Sequence, residues 1–124
     1  MGGFVIVFIG GGLGAAFRHG VNLLSARLFG TVFPWHTFII NISGAFLLGL
    51  VMALSAERGV LSNEWRLFLG VGVLGGYTTF STLSYESIAL IERGLVLNGA
   101  LNMFGSAFVG LVAVVAGLYV GRVI

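Results

Sequence analysis

The chain has 124 residues, 58% of them hydrophobic and only 8% charged, and six basic against four acidic side chains leave a formal net charge of +2. A soluble domain normally carries about 25% charged residues, so this composition cannot cover a water-facing surface. Two net charges spread along the chain make no nucleic-acid footprint, which needs basic residues clustered on one face, and without Cys there is no disulfide or thiolate chemistry.

A spanning helix needs roughly 20 mostly apolar residues, so the length accommodates four spans and little else. Lipid leaves only helices or closed barrels as solutions for the backbone polar groups. Apolar runs this long without period-2 alternation are helical. The first span covers about residues 3–24, with Arg18 in its second half, and the lack of a positively charged stretch before it marks a retained span and not a leader. Gly30 to Pro34 is a turn around the only proline. The second span follows at about 35–54, and the polar run from Ser55 to Glu64 connects it to a third at about 65–91. Glu92-Arg93-Gly94 turns the chain into the fourth, about 95–120, which Arg122 closes.

Short connectors make neighbouring helices antiparallel hairpins, and Trp35, Trp65 and Tyr119 stand near span ends, where amphipathic rings favour the headgroups. The expected fold is an all-α integral membrane protein, one domain over residues 1–124, with four transmembrane helices in the inner (cytoplasmic) cell membrane. Orientation is normally set by a Lys/Arg bias between loops. Here Arg58, Arg66 and Arg122 on one side face Arg18, Arg27 and Arg93 on the other. That balance fits a chain inserting both ways up, and an antiparallel homodimer would supply the two-fold symmetry that larger transporters obtain from internal inverted repeats.

Small residues recur at four-residue spacing, Gly10 with Gly14 and Gly117 with Gly121, a pattern that lets helices approach closely in lipid. More informative is Leu74-Gly75-Gly76-Tyr77-Thr78-Thr79-Phe80-Ser81-Thr82-Leu83-Ser84, which places two glycines beside five Ser and Thr hydroxyls in the middle of the third span. This density predicts a helix break at mid-membrane, tolerable only where protein or an aqueous cavity satisfies the freed backbone. Interrupted spans of this kind surround ions in transporters. Thr37 and Asn41 share a face of the second span, and Asn98, Asn102, Ser106 and Gly110 form a row on the fourth. Such stripes serve either as interhelical glue or as an ion path, with Asn41 and Ser106 the deepest. Arg18 is either an interfacial anchor that snorkels or part of a positive vestibule that concentrates anions. Glu86 either pairs with an arginine or caps an entrance. His19 and His36, at span ends and without partners at metal-ligand spacing, read as interfacial. No nucleophile has an oriented base, so the chain is no enzyme, and the absence of a mid-membrane carboxylate tilts the substrate towards a small anion.

In these residues the chain resembles the CrcB/Fluc family of fluoride channels over essentially its whole length. The run from Gly75 to Ser84 followed by Glu86 carries the resemblance, supported by the glycine-rich approach to Arg18, by Asn41 with Ser43-Gly44, and by Gly105-Ser106. The resemblance implies a dual-topology homodimer with two fluoride pores, and a central Na⁺ held by main-chain carbonyls of both subunits, from Gly75 and Thr78. It implies pore-lining roles for Asn41, Phe80, Thr82 and Ser106, and vestibule roles for Arg18 and Glu86. Leu83 stands where the family carries a second pore phenylalanine, removing one polarised ring edge, and Gly110 replaces a hydroxyl that some relatives carry there. The implied activity is passive export of fluoride, protecting the cell. The partners are the ion, membrane lipid and a second copy of the chain, with no nucleic acid. A proton-coupled exporter of small cations and a non-transporting membrane scaffold are the competing readings.

Overall fold

Four helical spans are joined by short turns in the computed structural model, which describes residues 2–124; Met1 lies outside the described residues. They are α1 (Gly2–Phe29), α2 (Trp35–Glu57), an interrupted third span made of α3 (63–77) and α4 (Ser81–Glu92), and α5 (Val96–Val123). Each span is longer than hydropathy alone predicts. Once a helix leaves the apolar layer, continuing it still satisfies backbone groups, and polar side chains do not end it. At 1.5 Å per residue the 28 residues of α1 measure about 42 Å, against a hydrocarbon core of about 30 Å, so its ends reach the headgroups. Four spans of this kind, together with the bacterial relatives described below, make the chain a multi-pass protein of the inner membrane.

The turns stop the helices by a shared device. Gly30 and Gly94 take φ of +74° and +83° just past the ends of α1 and α4, a left-handed conformation in which a Cβ would be strained. The Gly30 N–H donates to the Ala26 carbonyl at 3.2 Å. At the opposite end of the bundle, Arg122 makes a two-pronged contact with Glu57 at 2.7 and 2.8 Å. Arg58 donates to the Gly121 carbonyl at 3.0 Å, occupying an acceptor in the last turn of α5. These contacts fasten α2 to α5.

The small residues noted in the sequence pack at these helix crossings. A Cβ on Gly14 would collide with the Val73 carbonyl, and one on Gly10 would come within 2.7 Å of the Phe68 carbonyl, so α1 lies backbone to backbone against α3. Gly117 and Gly121 do the same for α5 against Phe46, Leu50 and Ala53 of α2. A Cβ on Gly12 would meet nothing within 4 Å among the described residues, and Phe4, Phe8 and Phe17 on α1 are exposed. Dispersion contacts and close approach hold such helices together, because lipid tails remove the hydrophobic drive between them. Wide π-helical turns interrupt the ordinary helix at Leu67–Leu74 and Leu101–Gly105; such turns frequently mark functional positions, and the second immediately precedes Ser106.

Candidate functional site

The expected break is present. Thr78 adopts an extended backbone (φ −80°, ψ 158°), which ends α3 and lets the chain re-enter helix at Ser81. Nearby polar side chains take up the exposed backbone groups. The Thr78 N–H and hydroxyl both donate to the Leu74 carbonyl, at 3.0 and 2.9 Å. The Thr79 N–H donates to Asn41 Oδ1, and Asn41 Nδ2 donates to the Thr79 carbonyl, both at 2.8 Å. Thr79 Oγ1 accepts from the Thr82 N–H at 3.3 Å and donates to the Thr82 hydroxyl at 3.1 Å, which caps the first turn of α4. Hydroxyl density and helix break are therefore one feature: the side chains replace the ladder that the break removes.

Two cavities meet at this break. A groove of about 350 Å³ is bordered by Asn41, Thr78, Phe80, Leu83, Ser106 and Gly110. Phe80 is 73% exposed on its rim, whereas Leu83 is 6% exposed in its wall. Ser106 is only 4% exposed, and its hydroxyl has no hydrogen-bond partner among the described residues. A smaller, mostly polar cavity of about 240 Å³ is lined by Arg18, His19, Asn22, Thr37, Thr79 and Thr82. Thr79 borders both, so the broken segment forms the wall between a cationic pocket and the groove. Gly75 lies beside a third space of about 270 Å³, which shares Asn41 and Thr78 with the groove.

Most of the expected pore residues therefore assemble at the groove: Asn41, Phe80, Leu83, Ser106 and Gly110. Thr82 instead lines the Arg18 cavity. Among the described residues Glu86 pairs with no arginine. Its carboxylate accepts a hydrogen bond from the Thr37 hydroxyl at 2.5 Å and contacts His36 Nε2 at 2.8 Å. His36, read from sequence as merely interfacial, is thus a partner of Glu86 in the first turn of α2. The polar row on the fourth span is also divided. Asn102 is fully buried and donates to Ser87 Oγ at 3.0 Å, so it joins α5 to α4 inside the subunit, while Ser106 and Gly110 reach the groove. His19 and Asn22 were not anticipated in the Arg18 cavity, although Asn22 follows Arg18 by four residues and so shares its helix face.

The expectation of a sodium-binding, metal-binding protein is corrected. Among the described residues no group of three or more His, Cys, Asp or Glu stands where it could hold a metal ion.

Comparison with known proteins agrees with the resemblance. The family described as CrcB-like protein, Camphor Resistance (CrcB), matches residues 5–118. A fluoride-specific ion channel FluC 2 of Nitrobacter hamburgensis is 49% identical over 119 residues, 96% of each chain. The fluoride-specific ion channel FluC of Methylobacterium nodulans is 51% identical over 118 residues, covering 95% of this chain and 94% of the relative. That of Thermus thermophilus is 48% identical over 118 residues, again covering 95% and 94%. These relatives are named as channels and not as enzymes. With its four spans, its broken third helix and a match over almost its full length, the chain belongs to the CrcB-like family.

Proposed function

We propose that the chain conducts fluoride passively across the membrane, as an antiparallel homodimer whose second copy closes each open-sided groove into a pore. The observation that carries this reading is the Ser106 hydroxyl, buried on the wall of the groove and without a partner among the described residues. A buried donor left unpaired costs about 1–3 kcal/mol, and a small anion in the groove would accept from it. The fluoride-channel names of three relatives at 48–51% identity support the choice of anion. Exposed Phe80, Phe104, Phe108 and Leu111 form an apolar face for the second copy, and the balanced arginines permit that copy to insert the other way up.

The ion path begins in the Arg18 cavity, where the guanidinium raises the local anion concentration. It passes Thr79 and Thr82 and enters the groove between Asn41 and Ser106. Fluoride is small and strongly hydrated, so the path must replace its water with convergent donors while leaving binding weak enough for release. The positive edge of the Phe80 ring can face the anion. Leu83 provides only apolar wall, so one side of the groove carries fewer donors. In acid surroundings HF crosses the bilayer neutral and dissociates inside, and the inside-negative potential then drives the anion out.

Current across planar bilayers under a fluoride gradient tests passive conduction. Reversal near the fluoride equilibrium potential, independent of a pH gradient, is the expected result. A reversal potential that follows the proton gradient would instead indicate coupled export.

A further inference from the structure

In an unbroken helix the Thr79 N–H would donate to the Gly75 carbonyl four residues back. Here it donates to Asn41 Oδ1, while Asn41 Nδ2 donates to the Thr79 carbonyl, with both distances 2.8 Å. The carboxamide thus behaves as a detached peptide unit, pairing with one residue as a neighbouring strand would. Its orientation follows from its partners, since only the oxygen can face an N–H and only the nitrogen can face a carbonyl. We propose that Asn41 is a positioning residue: it closes the broken third helix around Thr79 and thereby fixes the wall between the Arg18 cavity and the groove. The inference rests on the ion path proposed above and assigns a role within it.

Several features converge on Thr79. It lines both cavities, and its hydroxyl caps α4 through the Thr82 N–H. Gly44, one turn along α2 from Asn41, has no room for a Cβ because the Thr78 methyl occupies that space. The α2 face is therefore shaped to seat the extended segment, with Asn41 providing its polar contact. One hydrogen on Asn41 Nδ2 is engaged by the Thr79 carbonyl; the second remains to face the groove that Asn41 also lines. Of the side chains of this length, Asn alone offers an N–H donor and a C=O acceptor in the planar arrangement of a peptide unit. Ionised Asp has no donor, Leu has neither group, and Gln is longer by a methylene.

The test uses the full chain in lipid nanodiscs and vesicles. In Asn41→Ala, amide hydrogen exchange across residues 78–82 accelerates at least about tenfold while exchange in α1 and α5 is unchanged. Fluoride flux falls, and the fluoride-to-chloride permeability ratio falls with it, which loss of folded protein alone would not produce. Replacing the Thr79 peptide by an ester removes the N–H without altering Asn41, and this variant shows the same loosening at 80–82 and the same shift in ratio. Exchange at 78–82 within about twofold of the wild type in folded Asn41→Ala overturns the proposal, as does an ester variant with wild-type exchange and selectivity. Exchange and conduction are read separately. A wild-type chain that fails to conduct sinks the channel reading, and the clamp would still be judged by exchange.

Discussion

Asn102 donates its amide to the Ser87 hydroxyl at 3.0 Å, and both side chains are buried between α5 and α4. Ser87 in turn donates to the Leu83 carbonyl at 2.7 Å, so a continuous polar chain runs from the fourth span to the groove wall. Hydrogen bonds between membrane helices contribute about 0.6 kcal/mol on average and up to about 1.7. With the void left by truncation added, Asn102→Ala is expected to destabilise the folded chain by about 1–2 kcal/mol. Denaturation in mixed micelles measures this. Fluoride flux per folded protein should be unchanged, because Asn102 does not line the groove.

Close approach of glycines gives a sharper contrast. Gly14→Ala drives a Cβ into the Val73 carbonyl, and neither backbone can yield without separating α1 from α3. That variant should lose its monodisperse size-exclusion peak. Gly12→Ala, on the same helix with nothing within 4 Å, should fold normally, and it gains helix propensity of up to about 1 kcal/mol.

How much of this was legible beforehand depended on whether a residue's role was local. Hydropathy located the four spans, and two glycines beside five Ser and Thr hydroxyls located the break, since both signals lie in contiguous sequence. Glycine spacing identified α1 and α5 as close-packing helices, but the choice of Val73 and Phe46 as their partners is a matter of tertiary register. The pairing of Glu86 with His36 and Thr37 joins residues about 50 positions apart. Arginine pairing was an equally reasonable expectation from charge alone. The polar row on the fourth span read as one stripe, yet Asn102 turns inward while Ser106 meets the groove. A π-helical turn at Leu101–Gly105 contains Asn102 and ends just before Ser106, altering the helical register in a way that counting by four cannot anticipate.

The Glu86 cluster should behave as a unit. Thr37→Val removes the hydroxyl that donates to the carboxylate, and Glu86→Gln removes the charge, so each single change leaves a partner poorly matched in a part-buried site. A double-mutant cycle on thermal stability is expected to show a coupling of about 0.5–3 kcal/mol. Additive effects would mean that the contact contributes nothing beyond proximity.

Leu83 is packed in the groove wall with 6% exposure. Leu83→Phe therefore inserts volume into a filled position, and a cost of about 1–3 kcal/mol is expected from overpacking. A thermal unfolding series measures it; a more stable Leu83→Phe would show that the wall has room for a second ring.

The balanced arginines make insertion sensitive to small changes. Two added Arg in the 58–62 turn should fix that side in the cytoplasm, leaving copies that cannot form an antiparallel pair. Flux should be lost with that variant alone and recovered on coexpression with an oppositely biased one, as measured in membrane vesicles. Full flux from the single biased variant would argue against antiparallel assembly.

The most direct test of the central claim is fluoride efflux from liposomes holding the purified chain, read by a fluoride electrode with a potassium shunt, and with chloride efflux measured in parallel. Rapid fluoride release with negligible chloride release is the predicted result. Folded protein that releases no fluoride, or releases both anions alike, would contradict a fluoride-selective path through the Asn41–Ser106 groove.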